Sequence, residues 1–137
     1  MRNKKIRGAK PVGKFKSHLE QRMSQLLEKY EIPADYEEHK FVLQDKFRYE
    51  SPVIKGKKQD IMVNEQPSVR AITYTPDFVN TELGFVIECK GFPNDSFPLK
   101  WKMFKKYLVD NNLNYDLYIP RNFDQCEVVA KIILSNL

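Results

Sequence analysis

Two short segments of the chain hold residues whose types and spacing suit catalysis. They read Tyr-Thr-Pro-Asp-Phe at 74–78 and Ile-Glu-Cys-Lys-Gly at 87–91. Side chains of a β-strand alternate between its two faces, so Glu88 and Lys90 are expected to share one face. The alternate residues of that segment are apolar, which assigns their face to the core. The other face then presents a carboxylate and an ammonium group at the end of a strand.

Asp77 lies before Glu88 across a predicted hairpin whose turn is at 80–84. Pairing of the two arms brings the two carboxylates together, and neighbouring carboxylates favour a shared proton or a bound cation. A hard divalent ion such as Mg²⁺, with Mn²⁺ as a substitute, takes oxygen ligands and keeps positions open for water and phosphate. Such an ion neutralises the phosphate and activates water, while Lys90 holds that water or stabilises the developing negative charge. The two segments therefore predict a metal-dependent nuclease centre with Asp77 and Glu88 as metal ligands.

The alternative interpretation of these residues is structural. A Glu-x-Lys pair is common on a solvated strand face, and an aspartate after a proline is an ordinary turn residue. The joint pattern of Pro-Asp, a short hairpin and apolar-Glu-x-Lys at a strand end is much rarer, and it favours catalysis.

Glu20 is a third candidate carboxylate. Ser17 and Glu20 form the Ser-x-x-Glu pattern of a capping box, which by itself explains the glutamate. On a helical wheel with Leu19 at 0°, Glu20 falls at about 100°, on the border of the apolar stripe. From there it can reach over the sheet edge as a further catalytic and metal-binding acid. Capping and metal binding compete for the same oxygens, so mutation distinguishes them.

The order of elements predicts an α/β (α+β) fold with a mixed β-sheet flanked by helices. Residues 44–70 have β-type composition in places but are left without a role, and Lys-Gly-Lys-Lys at 55–58 is expected to be a turn. The expected elements are a helix at 17–30, a strand at 36–43, hairpin arms at 73–79 and 85–89, a helix at 98–110, a strand at 115–119 and a helix at 124–136.

The positive charge of the chain is concentrated at its N-terminus. Residues 1–16 carry seven basic side chains and no acid, whereas the rest carries 16 basic and 18 acidic residues. This predicts a flexible basic arm at 1–16, followed by a single domain at 17–137, and a solubilising tail is the alternative. The predicted DNA-binding residues are six in the arm and two on the second helix, where a solvated helix face is an equally good reading: Lys4, Lys5, Arg7, Lys10, Lys14, Lys16, Lys102 and Lys106.

Several classes of protein are not expected from this composition. No apolar run approaches the roughly 20 residues that span a bilayer, and the charged start lacks the apolar stretch of a secretory signal. Cys89 and Cys126 match no paired metal-ligand spacing, and they are expected to be buried thiols in a reducing cytoplasm, with a disulfide left open.

Five segments of the chain together resemble a known nuclease family. They are Gly-Ala-Lys at 8–10, Val-Gly-Lys-Phe-Lys-Ser-His-Leu-Glu at 12–20, Tyr-Glu-Glu at 36–38, and the two segments at 74–78 and 87–91. In this order they resemble phage endonuclease I, the Holliday-junction-resolving family of the PD-(D/E)XK nuclease superfamily. The resemblance covers about residues 8–92 and weakens towards the C-terminus. The segment Lys90-Gly-Phe followed by residues 99–107 is also similar to small phage nucleases of the same superfamily.

The resemblance implies a restriction-endonuclease-like core and Mg²⁺-dependent cleavage of four-way DNA junctions. It implies that Asp77, Glu88 and Glu20 bind metal, that Lys90 positions water, and that the protein is phage-encoded and acts in the bacterial cytoplasm. It also implies a homodimer that exchanges a segment between early strands, although this chain is longer than the family between Tyr36 and Tyr74 and lacks a long basic tail. The alternatives are a nuclease of the same superfamily acting on duplex or flap DNA, and a non-catalytic DNA-binding accessory protein.

Overall fold

Three helices and ten short strands lie within residues 13–57, 60–63, 66–91 and 96–137, which the computed structural model describes. No helix in these ranges is both long enough and apolar enough to cross a membrane. In chain order the elements are α1 (His18–Lys29), β1 (Asp35–Tyr36), β2 (Phe41–Gln44), β3 (Phe47–Arg48), β4 (Ile54–Lys57), β5 (Asp60–Val63), β6 (Ser68–Val69), β7 (Ile72–Tyr74), β8 (Phe78–Asn80), β9 (Phe85–Ile87), α2 (Phe97–Asp110), β10 (Asp116–Tyr118) and α3 (Phe123–Ser135).

The first helix begins where its capping residue predicts. Ser17 has extended backbone angles, and its hydroxyl accepts a hydrogen bond of 3.1 Å from the backbone N–H of Glu20. This satisfies one of the helix's free N-terminal donors. The apolar stripe of α1 is buried at Leu19, Met23, Leu26 and Leu27, and the helix prediction at 17–30 is confirmed.

A four-stranded mixed sheet forms the centre of the fold, in the order β1-β8-β9-β10. β8 pairs antiparallel with both β1 and β9, while β10 runs parallel to β9. Helices lie on both faces of this sheet. The expected mixed sheet flanked by helices is therefore confirmed.

The two faces of β9 contribute to two separate hydrophobic clusters. Phe85 and Ile87 pack with α1 and α3 in one cluster, whereas Val86 packs with Phe104 and Leu108 of α2 in the other. The alternation follows the period of two of a β-strand. Helices cover both faces of β9. Glu88, the next residue after β9, therefore lies beside a buried surface and not on an open, solvated one.

The turn between β8 and β9 is held by its own side chains. The Asn80 side chain accepts a 2.8 Å hydrogen bond from the Leu83 N–H, and it donates to the Pro33 carbonyl at 2.6 Å. Gly84 adopts a left-handed backbone with φ 73°, which glycine reaches without a Cβ clash. The predicted hairpin is present, although its first arm begins at Phe78 and not at 73, because β7 ends at Tyr74 and pairs elsewhere.

The predicted strand at 36–43 is wrong, because the chain turns after Tyr36. Glu37 has a φ of 51°, a left-handed backbone that ends β1, and its N–H donates to the Asp77 carbonyl at 2.9 Å. The chain resumes as β2, which pairs with β7 outside the central sheet. The basic turn expected at 55–58 is also wrong for residues 55–57, since Ile54–Lys57 is strand β4, and Lys58 lies outside the described residues. The later predictions, helices at 98–110 and 124–136 and a strand at 115–119, agree with α2, α3 and β10 within about two residues.

Candidate active site

The register of the β8–β9 hairpin places Asp77 across from Glu88. Phe78 pairs with Ile87, and one step further along the antiparallel ladder the two acids are opposite each other. The backbone N–H of Cys89 donates to Asp77 Oδ2 at 2.8 Å, which holds this carboxylate at the end of the hairpin. The hairpin therefore provides the cross-strand relationship that the sequence predicts.

Glu88 and Lys90 follow β9 and remain attached to the β10 side of the sheet. Their backbone N–H groups donate to the carbonyls of Tyr118 and Pro120 at 2.9 and 3.1 Å. Glu88 is only 6% exposed, and its Oε1 accepts a 2.6 Å hydrogen bond from the Tyr74 hydroxyl. Lys90 Nζ lies 3.6 Å from Glu88 Oε2, so the two side chains share a face as expected.

The Lys90 ammonium group lies in a partly apolar setting. Its side chain is only 16% exposed, and Nζ lies 4.7 Å from the centre of the Phe97 ring at the start of α2. The ring face attracts the cation, and the shielding from water strengthens its attraction to Glu88. A fixed, poorly hydrated ammonium group beside a carboxylate is suited to stabilising negative charge on a substrate.

Glu20 reaches the same region from α1, and its capping role leaves its carboxylate available. The cap uses the Ser17 hydroxyl and the Glu20 backbone N–H, while Oε2 accepts from the Ser17 hydroxyl and Oε1 from the Tyr36 hydroxyl, both at 2.9 Å. Each carboxylate oxygen has a second lone pair that can bind a cation. Capping and metal binding can therefore use different lone pairs of the same carboxylate.

A fourth acid, Glu37, lies beside Glu20 and Asp77 and was missed at the sequence level. One carboxylate oxygen from each of these three residues lies within 4.8 Å of the others, a grouping that does not include Glu88. The sequence predicts a continuous strand at 36–43 and gives Glu37 no role, whereas the left-handed backbone at Glu37 ends β1 there. The available signal was the Tyr-Glu-Glu segment at 36–38.

Burial and mutual repulsion raise the pKa of the buried acids. For Asp77, burial is the main cause, followed by the charges of Glu88 and Glu20, and together they raise its pKa to about 9. Burial also raises the pKa of Glu88, although the Tyr74 hydrogen bond and the Lys90 charge oppose this. Carboxylates in such an environment bind either a proton or a cation.

The three grouped acids fit a divalent cation. Carboxylate oxygens are the ligands of hard cations, at roughly 2.0–2.6 Å, so two ligands of one ion lie up to about 5.2 Å apart. One carboxylate oxygen each of Glu20, Glu37 and Asp77 lies within 4.8 Å of the other two, which satisfies this condition. Glu88 lies outside this grouping, and its two carboxylate oxygens contact the Tyr74 hydroxyl and Lys90 Nζ.

The predicted DNA-binding residues fall into three groups. Lys4, Lys5, Arg7 and Lys10 lie outside the described residues. Lys14 lies 5.4 Å from the Tyr36 ring centre and Lys16 Nζ lies 3.1 Å from Glu37 Oε1, which raises the pKa of Lys16. On α2, Lys102 is exposed, and Lys106 is paired with Asp110 at 2.6 Å. Among the predicted DNA-binding residues that the structure describes, Lys14 and Lys16 are therefore the two next to the acidic centre.

Comparisons of the chain with protein-family models, curated proteins and solved structures found no match.

Proposed function

We propose that the protein is a divalent-metal-dependent endodeoxyribonuclease of the PD-(D/E)XK type, which hydrolyses phosphodiester bonds in branched DNA. The observation that carries the proposal is the convergence of Asp77, Glu88 and Lys90 at one end of the β8–β9 hairpin, with Glu20 approaching from α1. Three buried acids and a partly buried lysine are costly to assemble without a cation or a phosphate to bind. A structural role for these residues leaves that cost unexplained.

Asp77, Glu20 and Glu37 would hold Mg²⁺ or Mn²⁺, with Glu88 as a further ligand. When bound, the ion neutralises charge on the phosphate and acidifies a water molecule for attack. The raised pKa of Asp77 supports this assignment, because burial and then the charges of Glu88 and Glu20 oppose its ionisation, and a bound cation would favour the ionised carboxylate.

The side chains on the other side of the site have separate roles in this proposal. Lys90 stabilises negative charge on the phosphate oxygens and holds the attacking water, since its ammonium group is shielded from solvent. Tyr74 fixes the rotamer of Glu88 through its 2.6 Å hydrogen bond, and Tyr36 does the same for Glu20 at 2.9 Å. These two tyrosines are positioning residues and do not contact the substrate.

The rest of the fold is compatible with a restriction-endonuclease-like core. β10 lies parallel to β9 on the side that carries Glu88 and Lys90, and helices cover both sheet faces. The preference for four-way junctions and the homodimer, with or without exchanged segments, rest on the sequence resemblance and on the need for two symmetric cuts. Lys14 and Lys16 beside the acids support a path for the DNA backbone over the site.

A cleavage assay on a synthetic four-way junction, with Mg²⁺ or with EDTA, tests the proposal. We expect Mg²⁺-dependent cutting that falls about 10²-fold or more in Glu88→Gln and in Lys90→Met. Glu82→Gln, in the exposed hairpin turn, is the matched control and should cut normally. The proposal is contradicted if both site variants cut as fast as the native protein, or if the native protein binds DNA in a salt-sensitive way but cuts it with no divalent metal. Competition by linear duplex or flap DNA identifies the preferred substrate.

A further inference from the structure

Three short two-stranded ladders are nested along the chain between β2 and β7. Phe41 pairs with Tyr74, then Phe47 pairs with Val69, and then Ile54 pairs with Val63, so that each ladder lies inside the one before it. The Tyr49 N–H also donates to the Pro67 carbonyl at 2.8 Å, which extends the middle ladder. We call the described residues between 41 and 74 the β-ribbon.

The root of the β-ribbon is fixed to the body beside the candidate active site. The Phe41 ring packs on Phe104 of α2, with ring centres 4.9 Å apart. Its partner Tyr74 is 6% exposed and donates to Glu88. The ribbon therefore begins within one hydrogen bond of a proposed metal ligand.

Beyond this root, most side chains of the β-ribbon whose burial is described are exposed. Phe47, Tyr49 and Ile54 are 45%, 53% and 72% exposed. The chain from Gln44 to Lys57, which includes β3 and β4, covers at most roughly 40 Å at about 3.3 Å per residue. An isolated two-stranded ribbon is marginally stable in water, so a partner that covers it is expected.

The charge of the β-ribbon identifies the chemistry of that partner. Residues 44–70 carry six basic and four acidic side chains, a net +2, whereas 17–43 and 71–137 together carry ten basic and fourteen acidic, a net −4. Three of the six basic residues are close together in sequence, Lys55, Lys57 and Lys58; the first two belong to the end of β4, the Lys55 side chain is exposed, and Lys58 lies outside the described residues. Exposed Arg48, between the aromatic residues Phe47 and Tyr49, forms an ion pair of 2.6 Å with exposed Glu50 and also donates to the Ser68 hydroxyl at 3.4 Å. Positive charge at the outer end of an extended element fits a polyanion.

We infer that the β-ribbon is a DNA-binding arm that lies in a groove of the duplex next to the cleavage site and places its basic end on the phosphates. The major groove, about 12 Å wide, admits a two-stranded β-ribbon. An arm of roughly 40 Å covers about one turn of B-DNA, which is about 34 Å. The exposed aromatic residues then contact sugars and bases, and the lysines contact the backbone. This inference rests on the proposed function, because it takes DNA as the substrate.

Two variants of the full-length protein test the arm. In the first, Lys55, Lys57 and Lys58 are changed to glutamine. The matched control makes the same change at Lys29, Lys40 and Lys131, which are exposed and lie outside the β-ribbon. In the second, residues 45–71 are replaced by Asn-Gly, because Gln44 already pairs with Ile72 and a two-residue type I′ turn closes such a pair. Circular dichroism and thermal unfolding show whether each variant keeps its fold.

Binding to a fluorescent four-way junction is measured in EDTA over a range of KCl concentrations. Each lost phosphate contact lowers the slope of log K against log [salt] by about 0.9, so the triple-glutamine variant should lose about 2–3 from that slope. The control variant should keep its slope, and the deletion should weaken binding about tenfold or more. An unchanged slope in the triple variant, or an equal loss in the control, overturns the inference. It is also overturned if light scattering shows that the deletion dissociates a dimer while DNA binding is unchanged, since the ribbon's partner is then a second copy.

The assay separates this inference from the proposed function because EDTA prevents metal-dependent cutting. A ribbon-dependent salt slope in a protein that never cuts DNA with Mg²⁺ supports the arm and contradicts the nuclease. Normal Mg²⁺-dependent cutting with the same salt slope in the triple variant supports the nuclease and contradicts the arm.

Discussion

The Tyr74 hydroxyl donates a 2.6 Å hydrogen bond to Oε1 of Glu88, and this contact joins the root of the β-ribbon to the candidate active site. Burial and the Glu88 charge raise the pKa of Tyr74, so its hydroxyl stays protonated and acts as a permanent donor. The Tyr36 hydroxyl has the same relationship to Glu20, at 2.9 Å. Each of two proposed active-site acids is thus held by a tyrosine from a strand outside the β8–β9 hairpin.

Replacing Tyr74 by phenylalanine should shift the pH dependence of cleavage to higher pH. The hydrogen bond lowers the pKa of Glu88, and a hydrogen bond to a charged group contributes roughly 1.5–3 kcal/mol, equivalent to about one to two pH units. The aromatic packing of Tyr74 on Phe104 and Trp101 is kept by the phenylalanine ring. The pH profile of junction cleavage measures the shift. Tyr107→Phe, in the same aromatic cluster, is the control, and an identical profile for both variants and the native protein would contradict the role of Tyr74.

Replacing Asp77 by asparagine should stabilise the metal-free protein while it abolishes cleavage. Asparagine keeps an oxygen for the Cys89 N–H but removes a carboxyl whose ionisation is opposed by burial and by Glu88. We expect the free energy of unfolding in EDTA to increase by roughly 2–4 kcal/mol at neutral pH, given 1.36 kcal/mol per pKa unit. Urea denaturation measures this change, with exposed Asp116→Asn as the control. If Asp77→Asn instead lowers the free energy of unfolding in EDTA, the Asp77 carboxyl stabilises the metal-free fold, which contradicts the prediction.

The parts of the fold that were predicted correctly are those with local signals. Ser17 and the apolar stripe after it define α1, and the residues from Asn80 to Gly84 define the β8–β9 turn. Each of these elements closes within a few residues, so propensity and periodicity are sufficient. The placement of Asp77 opposite Glu88 follows from the same hairpin, because antiparallel register is determined once the turn is known.

The β-ribbon and Glu37 were missed for different physical reasons. Much of the ribbon is exposed, so its strands lack the alternation of apolar and polar residues that one buried face imposes. Glu37 depends on a left-handed backbone in a residue that is not glycine, which tertiary contacts impose and composition does not encode. Its hydrogen bond to the Asp77 carbonyl connects positions 40 residues apart in sequence, and no local pattern reports such a contact.

The metal-free protein should lose stability as the pH rises. The folded-state pKa of Asp77, about 9, lies above its ordinary value of 3.8, so the folded state retains a proton that the unfolded state releases. The stability from this group is therefore complete below about pH 4 and is lost as the pH rises towards 9. Urea denaturation in EDTA across this window measures the loss. Mg²⁺ should stabilise the protein more at high pH, and Asp77→Asn should flatten both trends, whereas a pH dependence that survives in this variant would assign the effect to another group.

Replacing Glu37 by glutamine should weaken metal binding without unfolding the protein. Its carboxylate shares the 4.8 Å grouping with Glu20 and Asp77, and it is only half-buried, so the loss of its charge removes a ligand and not a core contact. Changes in the surroundings of metal sites cost about ten- to a hundredfold in affinity, and the loss of a direct ligand should cost at least as much. Isothermal titration with Mn²⁺ measures the change, and Glu38→Gln is a control on the adjacent, exposed residue. Equal Mn²⁺ affinity in the two variants would remove Glu37 from the metal site and leave its 3.1 Å contact with Lys16 as its function.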